Sequence, residues 1–174
     1  MNYSVEKACE ILERTPVILR SLLSGLSPDW TMCNEGPDTF SPYDVIGHLI
    51  HGEQTDWVVR AKHILAVGTA SPFEPWDRFA QFENSKGKTL EQLLSEFELL
   101  RQENMNWLRS VNLSEADLEK KGLHPVLGGV TLRNLLSTWV VHDLTHLAQV
   151  TRVMAKQYKE EIGPWKEFFR ILSF

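Results

Sequence analysis

Val140-Val-His-Asp-Leu-Thr-His-Leu-Ala-Gln149 decides how this chain is read. It sets two imidazoles, His142 and His146, four residues apart in an apolar run of helical character. Both rings therefore leave one face of the helix, a turn apart. At about 100° per residue, Leu135, Trp139, His142, His146, Gln149 and Val153 fall within about 40° of one line. The spacing thus predicts two histidines in the middle of a buried stripe. Imidazoles that face a core lose most of their water contacts and need partners in exchange. Two readings meet that need: a divalent metal shared by the rings, or hydrogen bonds within the core.

Outward from this stretch, the helix that contains it is capped by Thr131 and is expected to end before Gly163-Pro164. Three more amphipathic segments precede it. The first starts at the N-cap Ser4, with Val5, Ala8, Cys9, Leu12, Leu19, Leu22, Leu23 and Leu26 at helical spacing. Pro16 should kink or split it near Thr15, and Gly25 stops it. Pro28 to Phe40 reads as a long connection. Ser41-Pro42-Tyr43-Asp44 opens a second helix to about Val67, before Gly68. Thr89-Leu-Glu-Gln92 forms a capping box for a third, through about Ser110, whose Glu, Gln and Arg positions predict a solvated surface.

Between the second and third helices, Thr69 to Lys88 mixes Pro72, Pro75 and Gly87 with Phe73, Trp76, Phe79 and Phe82. That composition predicts a packed loop with at most a short helical turn, which either covers a cleft or seals one end of the core. Ser114 to Asp117 suggests one short turn, and Gly122 to Gly129 a loop or small hairpin. The tail, Trp165 to Phe174, carries Phe168, Phe169, Leu172 and Phe174 and is expected to pack as a short helix. The fold expected is all-α: one domain over residues 1–174, a four-helix bundle with a short C-terminal helical segment.

The 174 residues are 43% hydrophobic and 24% charged, ordinary for a globular domain with its own core. A formal charge of −5 without a long basic block argues against nucleic acid or an anionic membrane as partner. Cys9 and Cys33 make no CxxC pair, so no zinc ribbon or redox motif arises. The first residues carry Glu6, Glu10 and Glu13 with no apolar core of a secretory signal, and the expectation is a cytoplasmic protein.

In a bundle, metal sites are built from side chains on facing helices. His142 and His146 need a third ligand from elsewhere, and His48 is the best placed. It shares a helix face with Asp44, Gly52, Thr55 and Val59, while His51, about 60° to one side, comes second. His63 and His124 read as surface residues. Neutral imidazoles favour zinc, nickel, iron or copper over magnesium or calcium. Three protein ligands leave a position open, whereas structural zinc sites are closed by four residues, so the site points to a reactive metal. Gln149 and Asp44 are placed to orient the rings, and both also read as surface or capping residues.

Trp30 and Gly36, Ser41-Pro-Tyr-Asp-Val-Ile-Gly-His-Leu49, Thr89-Leu-Glu-Gln-Leu-Leu94, Thr131-Leu-Arg-Asn-Leu-Leu136 and His142-Asp-Leu-Thr-His-Leu-Ala-Gln149 occur in this order. In these motifs the chain resembles the DinB-like family of damage-inducible metalloenzymes. That family also includes bacillithiol transferases and the N-terminal domain of mycothiol-dependent maleylpyruvate isomerase. The resemblance implies an up-down-down-up bundle, a homodimer, and a metal held by His48, His142 and His146. It implies a small-molecule substrate and transfer chemistry through a low-molecular-weight thiol. His51 stands where relatives often have an acidic residue. A hydrolase using metal-activated water, and a metal- or ligand-binding stress protein without turnover, remain as alternatives.

Overall fold

The computed structural model describes residues 2–173, so the expectation for Phe174 lies outside it. Helix α1 (Val5–Leu12) is capped by the Ser4 side chain and separated from α2 (Arg14–Leu23) at Glu13. The split falls slightly before Thr15 and leaves Pro16 in the first turn of α2. First-turn amides have no acceptor within their helix, so the missing N–H of proline costs little there. A single turn, α3 (Pro28–Thr31), interrupts the connection that follows.

Helix α4 (Pro42–Thr55) opens with a reciprocal capping box: Asp44 N–H donates to Ser41 Oγ, and Ser41 N–H donates to the Asp44 carboxylate at 2.9 Å. The single helix expected to Val67 breaks instead at Asp56, φ −113° and ψ −79°, and continues as α5 (Trp57–Ala66). The cause is local packing. Trp57 folds back over Gly52, where an added Cβ would stand 3.1 Å from the indole nitrogen, and Thr55 Oγ1 donates to the His51 carbonyl at 2.7 Å. The aromatic loop contains α6 (Ala80–Ser85) and leads into α7 (Leu90–Ser110), capped by Thr89 and Gln92 as expected.

A turn, α8 (Glu115–Leu118), precedes the hairpin of β1 (Lys121–His124) and β2 (Gly128–Thr131), antiparallel with Lys121 opposite Thr131. Helix α9 (Leu132–Lys156) follows directly and ends, as expected, before Gly163-Pro164. The tail is helical as expected, in two short 3₁₀ segments, Gly163–Phe168 and Arg170–Leu172, rather than one helix. It buries Leu172 and leaves Phe168 and Phe169 exposed, because so short a segment turns only one edge toward α9.

Side-chain pairs give the helix directions. Leu12 meets Arg101 while Arg20 meets Glu91, so α1–α2 run antiparallel to α7. Tyr43 reaches the Lys88 carbonyl and Glu53 reaches Arg101, so α4 runs parallel to α7. His48 meets His146 and Trp57 meets Trp139, so α9 opposes α4 and α5. The result is an up-down-down-up four-helix bundle, and its parallel pair requires the long crossover between α5 and α7. Among the described residues no helix is long and apolar enough to cross a membrane.

Two apolar clusters fill the interior. One gathers Leu12, Trp57, Met105, Leu136 and Trp139; the other Leu19, Leu49, Phe97 and Val150. Between them on the helices lie Glu53, Arg101 and Asp143, all buried. Arg101 is 2% exposed, which corrects the expected solvated face of α7. It stands four residues after Phe97 and four before Met105, hence on the stripe that faces inward.

Candidate metal centre

The antiparallel contact of α4 with α9 brings three rings to one level. Nε2 of His142 lies 3.0 Å from Nε2 of His48 and 3.1 Å from Nε2 of His146. The ligand atoms of the three histidines all fall within 4.8 Å of one another. The buried line of α9 runs through Trp139, Asp143, Val150 and Val153, with His142 half-buried beside it. That differs from the mid-stripe position expected from spacing: Asp143 takes the interior place, which a carboxylate can hold only when paired. The rings turn instead toward α4 and the crossover.

Burial, followed by the neighbouring imidazoles, pushes His48 down to about 3 and His142 down to about 2, from an ordinary 6.5. Burial lowers His146 too, against the opposing pull of Gln149 and Asp143. All three rings are therefore neutral near pH 7 and offer lone pairs.

Gln149 Oε1 accepts from His146 Nδ1 at 2.8 Å, which leaves His146 Nε2 without a proton. The contact with His142 then needs a proton on His142 Nε2. One N–H cannot serve His146 and His48 together, so within the protein alone one of the short N···N contacts sets like against like. A cation that accepts all three lone pairs removes the conflict. Nitrogens around a tetrahedral zinc stand roughly 3.3 Å apart when Zn–N is near 2.0 Å, close to both short separations. The donor set fits a divalent transition metal.

Packing holds the rings. Phe40 lies 5.5 Å from His48 and Trp76 meets it edge-on at 5.3 Å, while Trp57 meets His142 edge-on at 5.0 Å. The buried Nδ1 atoms of His48 and His142 find no hydrogen-bond partner among the described residues. Trp76 belongs to the crossover and is pinned by its Nε1–H, which donates to Thr55 Oγ1 at 2.9 Å. The aromatic loop thus covers the His48 face. It also seals the core, since Phe73 is buried against the hairpin and its N–H donates to the Leu123 carbonyl.

His51 is buried, stacks on Trp76 at 5.2 Å, and lies outside the three-histidine group; neither ring nitrogen has a hydrogen-bond partner among the described residues. Asp44 serves the start of α4, and its hydrogen bonds go to Ser41. His63 Nε2 engages the Ser71 carbonyl, and His124 Nδ1 accepts from the amides of Val126 and Leu127 in the hairpin turn.

Sequence reasoning missed the polar layer behind the centre. Arg101 donates to both oxygens of Asp143 at 2.6 and 3.0 Å, to Glu53 Oε1 at 2.7 Å and to the Leu12 carbonyl at 2.6 Å. Trp139 Nε1 donates to Glu53 Oε1 at 3.1 Å, and Asn104 to Glu53 Oε2 at 2.9 Å. The signal was there: Asp143 sits inside the histidine motif, and Arg101 has the spacing of the apolar stripe.

Among solved structures, YfiT from Bacillus subtilis, described as a probable metal-dependent hydrolase with an unusual four-helix bundle topology, matches with a TM-score of 0.76. Identity is 22%, with 90% of each chain covered, and that likeness establishes the fold. No curated protein matches the chain. Residues 11–150, a span that takes in all three histidines, match the family model of the DinB superfamily, and the chain belongs to that superfamily.

Proposed function

We propose that this protein is a metal-dependent enzyme acting on a small electrophile, with His48, His142 and His146 as ligands of zinc, nickel or iron. The observation that carries the reading is the convergence of three neutral imidazoles with no carboxylate or cysteine in the group. Three ligands leave room for an exogenous group. When bound, the metal supplies Lewis-acid chemistry, lowering the pKa of a thiol or water that reaches it. The chain's own residues prepare the site. Gln149 keeps His146 in the Nδ1–H tautomer, and Phe40 and Trp76 exclude water beside His48.

With no carboxylate in the group to take a proton, a nucleophile that ionises readily suits it best. A low-molecular-weight thiol has that property. In such a transfer the sulfur bonds to the electrophilic carbon, the leaving group departs with its electron pair, and the thiol proton goes to solvent. The resemblance to thiol-using DinB-like enzymes supports this chemistry, in a cytoplasmic homodimer. Hydrolysis is the second reading, favoured by the description of YfiT.

The test is elemental analysis of protein purified without an affinity tag, then turnover of the metallated form with thiols plus a chloronitroarene, and with esters alone. Chelator-sensitive consumption of thiol supports transfer. Ester cleavage without thiol establishes hydrolysis instead. Stoichiometric metal with neither activity overturns both and leaves a binding protein.

A further inference from the structure

The layer of Glu53, Arg101 and Asp143 is almost fully enclosed, with side chains 0 to 2% exposed. It contains two carboxylates and one guanidinium. The other groups on it, Asn104, Trp139 and the Leu12 carbonyl, are neutral. No second cation pairs with either carboxylate among the described residues. One formal negative charge is therefore enclosed without a counter-charge, and an enclosed unbalanced charge is costly.

The three imidazoles have the opposite deficiency. They are neutral, so they bring no charge to a divalent cation. The two groups share helices: Asp143 directly follows His142, and Glu53 lies on α4 five residues after His48. Trp139, which donates to Glu53, stacks on Trp57 at 5.9 Å, and Trp57 meets His142. The coupling at the rings is mixed, since Asp143 favours positive charge at His146 while the Arg101 guanidinium opposes it at His142. The layer still carries one net negative charge, and in an interior of effective permittivity about 20 its attraction persists over about 10 Å.

We propose that the surplus charge of this layer is the counter-charge of the cation held by the three histidines. Glu53 then acts on the metal through the field rather than by contact, and the layer is a charge-balancing element as well as a clamp between helices. The inference rests on the metal reading given above.

Glu53→Gln tests it, because the amide keeps the shape and an acceptor for Arg101 and Trp139 while removing the charge. The expected result is zinc or nickel affinity about tenfold weaker, measured against a chromophoric chelator, with the metal-free melting temperature unchanged or raised. A lower metal-free melting temperature with wild-type affinity overturns the proposal and leaves a structural clamp. Asn104→Lys provides an independent arm should the first variant fail to fold. Its half-buried position lets the ammonium reach Glu53 from the solvent side and neutralise the surplus with both carboxylates in place. Affinity about tenfold weaker is expected again, and wild-type affinity in this folded variant also overturns the proposal. Wild-type protein that takes up no metal overturns the metal reading itself, whereas tight wild-type binding with tight variants overturns this inference alone.

Discussion

Two polar clusters draw on the same pair of helices, α4 and α9, and they are built in opposite ways. In the Glu53–Arg101–Asp143 layer every carboxylate oxygen accepts a hydrogen bond from the protein. In the histidine cluster three Nε2 atoms crowd together at 3.0 and 3.1 Å, and the Nδ1 atoms of His48 and His142 have no hydrogen-bond partner among the described residues. The chain satisfies every carboxylate oxygen of the first cluster, where Arg101 Nε alone lacks a partner among the described residues, and leaves the second open. Burial of polar groups is therefore no mark of a site by itself. What separates the two is whether the protein's own hydrogen bonds close the arrangement.

The largest effect that bears on this contrast is expected from Arg101→Met. It leaves two carboxylates enclosed without their cation, and urea denaturation should show a loss of about 3–5 kcal/mol. A loss below about 1 kcal/mol would mean that the layer is not closed in the way described.

Next comes pH. His48 and His142 are held down to about 3 and about 2, so between pH 6.5 and about 3 the unfolded chain binds protons that the native rings refuse. Stability of the metal-free protein is full above pH 6.5 and falls as pH drops through that window, by about 1 kcal/mol per pH unit for each ring. Denaturant midpoints of chelator-treated protein that stay flat from about pH 7 to about pH 5 would contradict the burial of these rings.

His146→Ala should weaken metal binding at least about tenfold while the fold survives, because a three-ligand site loses a direct contact. Elemental analysis showing unchanged stoichiometry after dialysis would refute the assignment of that ligand. The smallest effect is expected from Gln149→Leu. The ring stays in place but its tautomer is no longer chosen, so affinity should drop about tenfold, the lower end of the effect of losing a ring-orienting partner. If Gln149→Leu proves as damaging as His146→Ala, Gln149 does more than orient the ring.

Much of this was legible in the chain. The spacing of His142 and His146, the capping box at Thr89, the cap at Thr131 and the Pro16 break are local signals, and local signals survive in a sequence. The aromatic loop was readable as packed, yet its hold on Thr55 through Trp76 depends on a contact across 21 residues that no periodicity encodes. The break at Asp56 follows from Trp57 lying on Gly52, a matter of tertiary packing. Arg101 went unseen for a different reason. Its spacing was correct for the interior, but a guanidinium belongs there only with its carboxylates, and those come from helices far away in sequence.

The crossover that makes α4 and α7 parallel also divides the centre's ligands: His48 lies before it, and His142 and His146 lie after it, with His48 and His142 94 positions apart in the chain. A single nick in the crossover would leave one ligand on the N-terminal fragment and two on the C-terminal one. For such a split chain, a divalent ion would be an intermolecular stitch, and reassembly of the two pieces should become metal-responsive.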